Sequence, residues 1–376
     1  MNGEPTSGRS RIVELDGLRG LAVALVLVWH YLPCQLPRDA GLLSSILRRG
    51  LYLTGSGVDL FFALSGFLIF GILLDERKSP GCLRNFYIRR SCRILPVYVF
   101  LLASCALLAA TDFLPQASHQ WLFGNPLPWW SYATFTQNIL MGMQNTFGPG
   151  ALSVTWSLAV EEQFYLIAPI IVLLVGRKGL VWLLPAMLVA GPVLRALYPG
   201  FHAYVNTPWR ADPLVAGGCV ALIVRSSTAL AWFRSHRRLM LAAAGILVGV
   251  VPLMILRPGI LGIFDVSWLA LSYGLLVLAA AEGNMGPLSS FLRQPVWIAL
   301  GRYSYAIYMF HQLVSGLLHG WLLQQEPLIR NWQGALTTLA ALLATLALAW
   351  LSFRFLESPF LKLGQRFRYR PGGGPS

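Results

Sequence analysis

Apolar runs of roughly membrane-crossing length recur from one end of this chain to the other. They lie near 15–33, 57–75, 94–111, 154–175, 180–197, 211–225, 239–256, 263–281, 296–320 and 334–356. A helix needs about 20 mostly apolar residues to cross a bilayer. Inside lipid, only helices and closed barrels satisfy their own backbone polar groups. The pattern predicts an all-α, polytopic integral membrane protein of about ten transmembrane helices, with both termini on one side. Hydrophobic residues make up 56% of the chain and charged ones 12%, and no polar block is long enough to build a soluble domain.

Charge orients the bundle. A net charge of +14 could suggest nucleic acid, but its distribution follows the membrane, and no nucleic-acid partner is expected. If successive helices alternate in direction, most of the 29 Lys and Arg residues fall on the side of the termini, with dense groups in 77–93, 225–238 and 362–370. Arg38, Arg48, Arg49, Arg195, Arg210, Arg257 and Arg330 fall on the other side, and Arg354 lies within the last span. By the positive-inside rule both termini are cytoplasmic. The outer loop 112–153 has no Lys or Arg and is rich in aromatic residues, among them Trp121, Trp129 and Trp130. It reads either as an interfacial aromatic belt or as a lid over an acceptor site.

Residues 1–10 read as a disordered N-terminus, 11–363 as one transmembrane domain, and 364–376 as a basic, Gly-rich cytoplasmic tail. No small-residue cleavage site follows the first apolar run, so it reads as a membrane helix and not a signal peptide. The five Cys are odd in number and form no CxxC pair, so neither a disulfide nor a metal site is expected.

Within the first run, LDGLRGLAVALVLVWH, Arg19 and His30 stand eleven residues apart. That is about three helical turns, which puts both on one face, roughly 16 Å apart along the axis. Ionisable groups at such depth must face protein or water and are functional candidates; the bland alternatives are an Arg snorkelling to headgroups and a packed structural His. Arg90 and Arg93 share a helix face at the cytoplasmic mouth, as donor-binding groups or as topological anchors. Asp59 lies near the outer rim, as a site residue or as an acidic residue at a helix start. Glu161 and Glu162 enter from outside to a depth of about 10 Å. Adjacent helical positions point about 100° apart, so one of the two faces the site, and Glu162 is the expected one. Ser65, in FFALSGF, is a candidate whose plainer reading is a small residue that lets helices approach. His311 lies at a depth similar to that of His30.

Cations at the inner mouth, an imidazole in the interior and carboxylates on the outer half suit an enzyme that takes an anionic donor from inside and a hydroxyl from outside. Arg forks match phosphate, a His of near-neutral pKa can deprotonate a hydroxyl, and a carboxylate can orient the ring. No Walker loop, GxSxG elbow or HExxH motif occurs. The rival class is a proton-coupled transporter, but no inverted repeat is visible in the chain.

Six blocks occur in order: LDGLRGLAVALVLVWH, GVDLFFALSGFLI, FYIRRSCRILP, TWSLAVEEQFYL, LGRYSYAIYMFH and FLESPF. In these, from about residue 12 to 363, the chain resembles the acyltransferase-3 family of integral-membrane acyltransferases. The resemblance implies transfer of an acyl group, mostly acetyl from acetyl-CoA, to a hydroxyl of a surface polysaccharide, lipopolysaccharide or O-antigen sugar. A macrolide, Nod factor or other secreted small molecule is the alternative acceptor. It also implies a multi-pass protein of the bacterial inner membrane, with acyl-CoA, a carbohydrate or lipid-linked glycan and membrane lipids as partners, and no metal. Carried over by position, His30 is the expected catalytic residue, tuned by Glu161 or Glu162. Arg19, Arg90 and Arg93 are expected to hold the donor phosphates, and Ser304, Tyr305 and His311 match the family's C-terminal block. The FLESPF block has Ser358 where many members have Arg. Some members carry a soluble SGNH-type domain after the last helix; none is expected here.

The topology is testable by itself. An alkaline phosphatase reporter placed in loop 112–153 is expected to be active, and one fused after residue 376 inactive. The opposite pattern would overturn the assigned orientation.

Overall fold

The computed structural model describes residues 12–39, 41–111, 114–283 and 285–367. The 1–10 stretch and all of the expected tail beyond residue 367 lie outside the described residues. Among those described there are helices and helical turns and no strand. The principal helices are α1 (Val13–Tyr31), α2 (Gly57–Glu76), α3 (Cys82–Ala109), α4 (Thr155–Leu197), α5 (Asp212–Val224), α6 (Arg237–Gly249), α7 (Asp265–Ala281), α8 (Pro295–Leu323), α9 (Trp332–Ser352) and α10 (Ser358–Gln365).

Each of the ten apolar runs lies largely in helix, yet six helical stretches are long and apolar enough to cross a membrane, or seven if one bent pair counts as a span. Four features separate this count from ten, the first being that α8, which carries Arg302, His311, Gln312 and His319, is not among the six. The runs 154–175 and 180–197 join in the 43-residue α4, which changes direction at Gly176 (φ 64°, ψ 179°). Helix α1 carries Glu14, Asp16 and Arg19, too many charges for a purely apolar span. Helix α5 runs only 13 residues before the chain turns by 98° into Ser227–Ser235. The protein is therefore an all-helical, multi-pass membrane protein with six or seven candidate spans by length and composition.

Helix association in lipid lacks the hydrophobic drive available in water, so small residues that let backbones touch become decisive. Helix α1 crosses α8 in this way. A Cβ at Gly20 would collide with the Trp297 carbonyl, and one at Gly301 with the Asp16 carbonyl. Helices α2 and α5 repeat the device, with Gly66 against the Leu214 carbonyl and Gly217 against the Ala63 carbonyl. The small residue at the α2 crossing is thus Gly66, which leaves its neighbour Ser65 free to face elsewhere. Helix α5 is buried along most of its length, wedged among α2, α4 and α7.

The segment read as an outer loop contains short helices at Gln116–Phe123, Trp129–Ala133 and Gln137–Gln144. Leu122 and Ser118 pack against Gly316 and Gly320 at the far end of α8. Trp129, at 79% relative exposure, and Trp130 point outward, as an interfacial belt requires. Arg195, counted in the charge argument as an outer loop residue, is instead buried. It pairs with Asp212 (Nη2 to Oδ2, 2.8 Å) and also donates to the Ser267 hydroxyl (2.7 Å). A neutralised buried cation says nothing about membrane orientation.

Gly20→Val and Gly301→Val are each expected to force α1 and α8 apart and to cost about 1–3 kcal/mol, the usual range for overpacking. The check is the thermal midpoint of the purified protein in detergent, and a midpoint equal to wild type would refute the backbone crossing.

Candidate active site

The α1–α8 and α2–α5 crossings leave a polar cavity between α1, α2, α3, α4 and α8. It measures about 780 Å³ including its mouth. Arg19 from α1, Ser65 from α2, Arg90 and Arg93 from α3, Glu161 from α4, and Ser304 and Tyr305 from α8 all line it. Seven of the residues singled out in the sequence therefore meet in one place, although they come from five helices.

Within the cavity, Ser65 donates a short hydrogen bond to Glu161, and the Tyr165 hydroxyl donates to Ser65 Oγ at 3.2 Å. The Arg90 guanidinium lies 5.6 Å from the Tyr165 ring centroid and 5.8 Å from that of Phe86. Arg19 has Asp16 at 3.9 Å. Tyr305 donates to the Ile94 carbonyl (2.9 Å) and Ser304 to the Gly301 carbonyl (3.0 Å). Glu357, buried in the π turn Phe353–Glu357 after α9, interacts electrostatically with Arg93.

It is Glu161, and not the expected Glu162, that lines the cavity. Ser157, Glu161 and Tyr165 recur every four residues along α4, and all three face the cavity; neighbours at that spacing share a helix face. Glu162 points off this stripe, and its Oε1 is buried without a hydrogen-bond partner among the described residues. That polar stripe was present in the sequence and would have chosen between the two carboxylates.

His30 and His311 come together just beyond the cavity, with ring centroids 4.8 Å apart. Neither is among the residues that line it. Tyr308 does line the cavity. Its ring lies 5.9 Å from that of His311, and its hydroxyl pairs with Ser157 Oγ at 2.6 Å. His30 is half-buried and His311 fully buried. Each Nδ1 faces a backbone carbonyl, Val26 O at 3.0 Å for His30 and Tyr308 O at 2.7 Å for His311. A carbonyl accepts only, so Nδ1 carries the proton in both rings, and in a neutral ring the basic lone pair belongs to Nε2. Tyr31 braces the pair by donating to the His311 carbonyl at 2.9 Å. Among the described residues no three His, Cys, Asp or Glu side chains converge as a metal site would need.

A family model described as an acyltransferase domain matches residues 12–354. The chain belongs to the acyltransferase-3 family. The chain is 29% identical over 384 residues to the peptidoglycan O-acetyltransferase OatA of Listeria monocytogenes, covering 95% of this chain and 57% of the relative. It is 25% identical over 384 residues to the O-acetyltransferase OatA of Staphylococcus aureus strain NCTC 8325, covering 95% and 58%. A protein of S. aureus strain COL, provisionally named an O-acetyltransferase, is 26% identical over 385 residues, covering 96% and 59%. The chain thus spans somewhat under three fifths of the length of these relatives. No solved structure matches it.

Asp59 is not just an acidic residue at the start of α2. It is 2% exposed and forms an ion pair with Arg210 at 2.6 Å. Arg210, also buried, lies 5.5 Å from the Trp156 ring centroid and 5.2 Å from that of Tyr204. Asp59 lies outside the cavity wall, although its neighbours Val58 and Phe61 belong to it. The sequence reading missed Arg210, because a loop cation and a buried partner look alike until the fold brings α2 to it. It also passed over Ser157, Tyr165 and Tyr308, all inside the quoted blocks.

Asp59→Asn is expected to strand the buried Arg210 charge and cost about 3–5 kcal/mol, read as a lower thermal midpoint and poorer accumulation. Asp59→Leu combined with Arg210→Leu should recover most of that loss. If the single variant melts like wild type, the pair is not structural.

Proposed function

We propose that this protein is a membrane O-acyltransferase. In this reading it moves an acyl group, most simply acetyl, from cytoplasmic acyl-CoA to a hydroxyl of a cell-surface glycan. The observation that carries the reading is the junction of two unlike sites: a cavity with three arginines and one carboxylate on its wall, and, behind Tyr308, an imidazole pair with Nδ1 held protonated. Arg19, Arg90 and Arg93 supply donor affinity, since guanidinium groups suit phosphate. His30 supplies the base through Nε2.

The hydroxyl oxygen of the acceptor attacks the thioester carbonyl while His30 takes its proton. A carbon–oxygen bond forms, the carbon–sulfur bond breaks, and the proton passes to the departing thiolate. Tyr308 has to turn aside for the thioester to reach His30, and its hydroxyl is held by one side chain, Ser157, and one backbone carbonyl, Val154. Glu161, bonded to Ser65, balances the arginines before the donor arrives. Ten spans with cytoplasmic termini, in the bacterial inner membrane, would deliver acyl-CoA and glycan from opposite faces. Peptidoglycan is the acceptor that the Listeria relative's name gives; polysaccharide, lipopolysaccharide and O-antigen sugars share the same hydroxyl chemistry.

His30→Ala is expected to accumulate normally and to lose label transfer from radiolabelled acetyl-CoA to a glycan acceptor in proteoliposomes by roughly 10²–10⁴-fold, the usual worth of a general base. Transfer at the wild-type rate would end this mechanism. Solute movement without any acylated product would point to a transporter.

A further inference from the structure

A second cavity, larger than the first, lies between α1, α6, α7 and the helical turn Tyr52–Ser56. It measures about 1330 Å³ including its mouth. Its lining changes character along its length. One end carries Thr54, Ser56, Trp268, Ser272 and Tyr273, whereas Ala279, Met285 and Leu288 at the other are apolar. No charged side chain among the described residues lines it. Along α7 the wall runs from Trp268 to Ala279, roughly 16 Å of helix. That is half of a hydrocarbon core about 30 Å thick, the depth of one leaflet.

Helix α6 supplies Ala244, Leu247 and Val248 to the wall but has no buried residue of its own. It leans on the bundle across a space that protein side chains do not fill. An unfilled apolar gap forfeits the dispersion contacts of its walls, and in a bilayer the available filler is hydrocarbon. Hydrocarbon alone gives no selectivity, because lipid tails are as apolar as Leu. The polar end supplies it. Trp268 and Ser272 are four residues apart on α7 and share a face. Trp268 Nε1 and Ser272 Oγ are buried with no hydrogen-bond partner among the described residues. Ser56 and Tyr273, at the same end, satisfy each other hydroxyl to hydroxyl at 2.5 Å. A buried donor left unpaired costs about 1–3 kcal/mol, and both orphans can donate. What they lack is an acceptor attached to a hydrocarbon chain.

We propose that this cavity is a lipid site, which takes an acyl chain of an ester-linked glycerophospholipid. The chain runs from the Ser56 end toward Met285, and an ester carbonyl accepts from Trp268 Nε1 and Ser272 Oγ. In such a lipid the carbonyls lie at the top of the chain, just inside the headgroup, at the depth where Trp side chains concentrate. A polyprenyl phosphate has no polar atom below its phosphate and leaves both donors unpaired.

The full chain is purified in detergent and titrated with phosphatidylcholine in diester and diether forms, which differ in the two carbonyls. Bound lipid is counted by native mass spectrometry. Wild type should hold one diester molecule roughly tenfold more tightly than the diether, the worth of about two neutral hydrogen bonds. Trp268→Phe combined with Ser272→Ala should bind both forms alike, at the diether level. Ala279→Trp and Leu247→Trp fill the cavity from α7 and α6, and each should lose this lipid in both forms. Leu174→Trp, at an exposed position of α4 that lines neither cavity, should lose none. Thermal midpoints near wild type show that a variant is folded, and either filling variant suffices if the other is unstable. Equal affinity of wild type for diester and diether overturns the ester contact and with it the proposal. So does a wild-type lipid count in a folded filling variant. A polyprenyl phosphate that displaces the diester at lower concentration makes the cavity an isoprenoid site, and a dimer that sheds the lipid makes it an interface between copies of the chain; either result also overturns the proposal.

Discussion

A guanidinium withdrawn from water is costly unless an anion or a set of carbonyls accompanies it, and the organisation of this protein follows from how its buried arginines are accompanied. Two of them have dedicated carboxylates. Arg195 meets Asp212 at 2.8 Å and Arg210 meets Asp59 at 2.6 Å, and these pairs tie α4 to α5 and the residues just before α5 to α2. A second group lines the candidate site. Arg19, Arg90 and Arg93 share a cavity on whose wall Glu161 is the one carboxylate. Paired arginines brace the fold.

The cavity exists because of backbone contacts elsewhere. Where α1 meets α8 and α2 meets α5, glycines bring main chain against main chain. Helices that cross so closely at one level diverge at others, and the space between them takes the longer polar side chains of α3 and α4. Tyr308, fixed to Ser157, closes that space on the side of the imidazoles. The same helix, α8, thus supplies the crossing glycine, two residues of the wall, the partition and His311.

Much of the cavity wall could be read from the chain. Spacing alone put Arg90 beside Arg93, and ordered blocks marked Ser65, Ser304 and Tyr305, because positions three or four apart on a helix are neighbours whatever surrounds them. Other placements needed the third dimension. Arg19 and His30 stand three turns apart on one helix, yet only Arg19 reaches the cavity wall. Glu162 was favoured over Glu161 because the stripe Ser157–Glu161–Tyr165 was not weighed. Asp59 looked like a local feature of a helix start, since its partner lies 151 residues away.

The sequence by itself determined that this is a helical membrane protein, because apolar run length and short-range helical periodicity are local properties that lipid enforces, and its six ordered blocks carried the likeness to the acyltransferase-3 family. Only the tertiary structure decided which carboxylate lines the cavity, which arginines are buried against Asp59 and Asp212, and that Tyr308 lines the cavity while His30 and His311 do not. Those outcomes depend on contacts between residues far apart in the chain, and the rotation of one helix against another, set by where two backbones can touch, is not written in either helix alone.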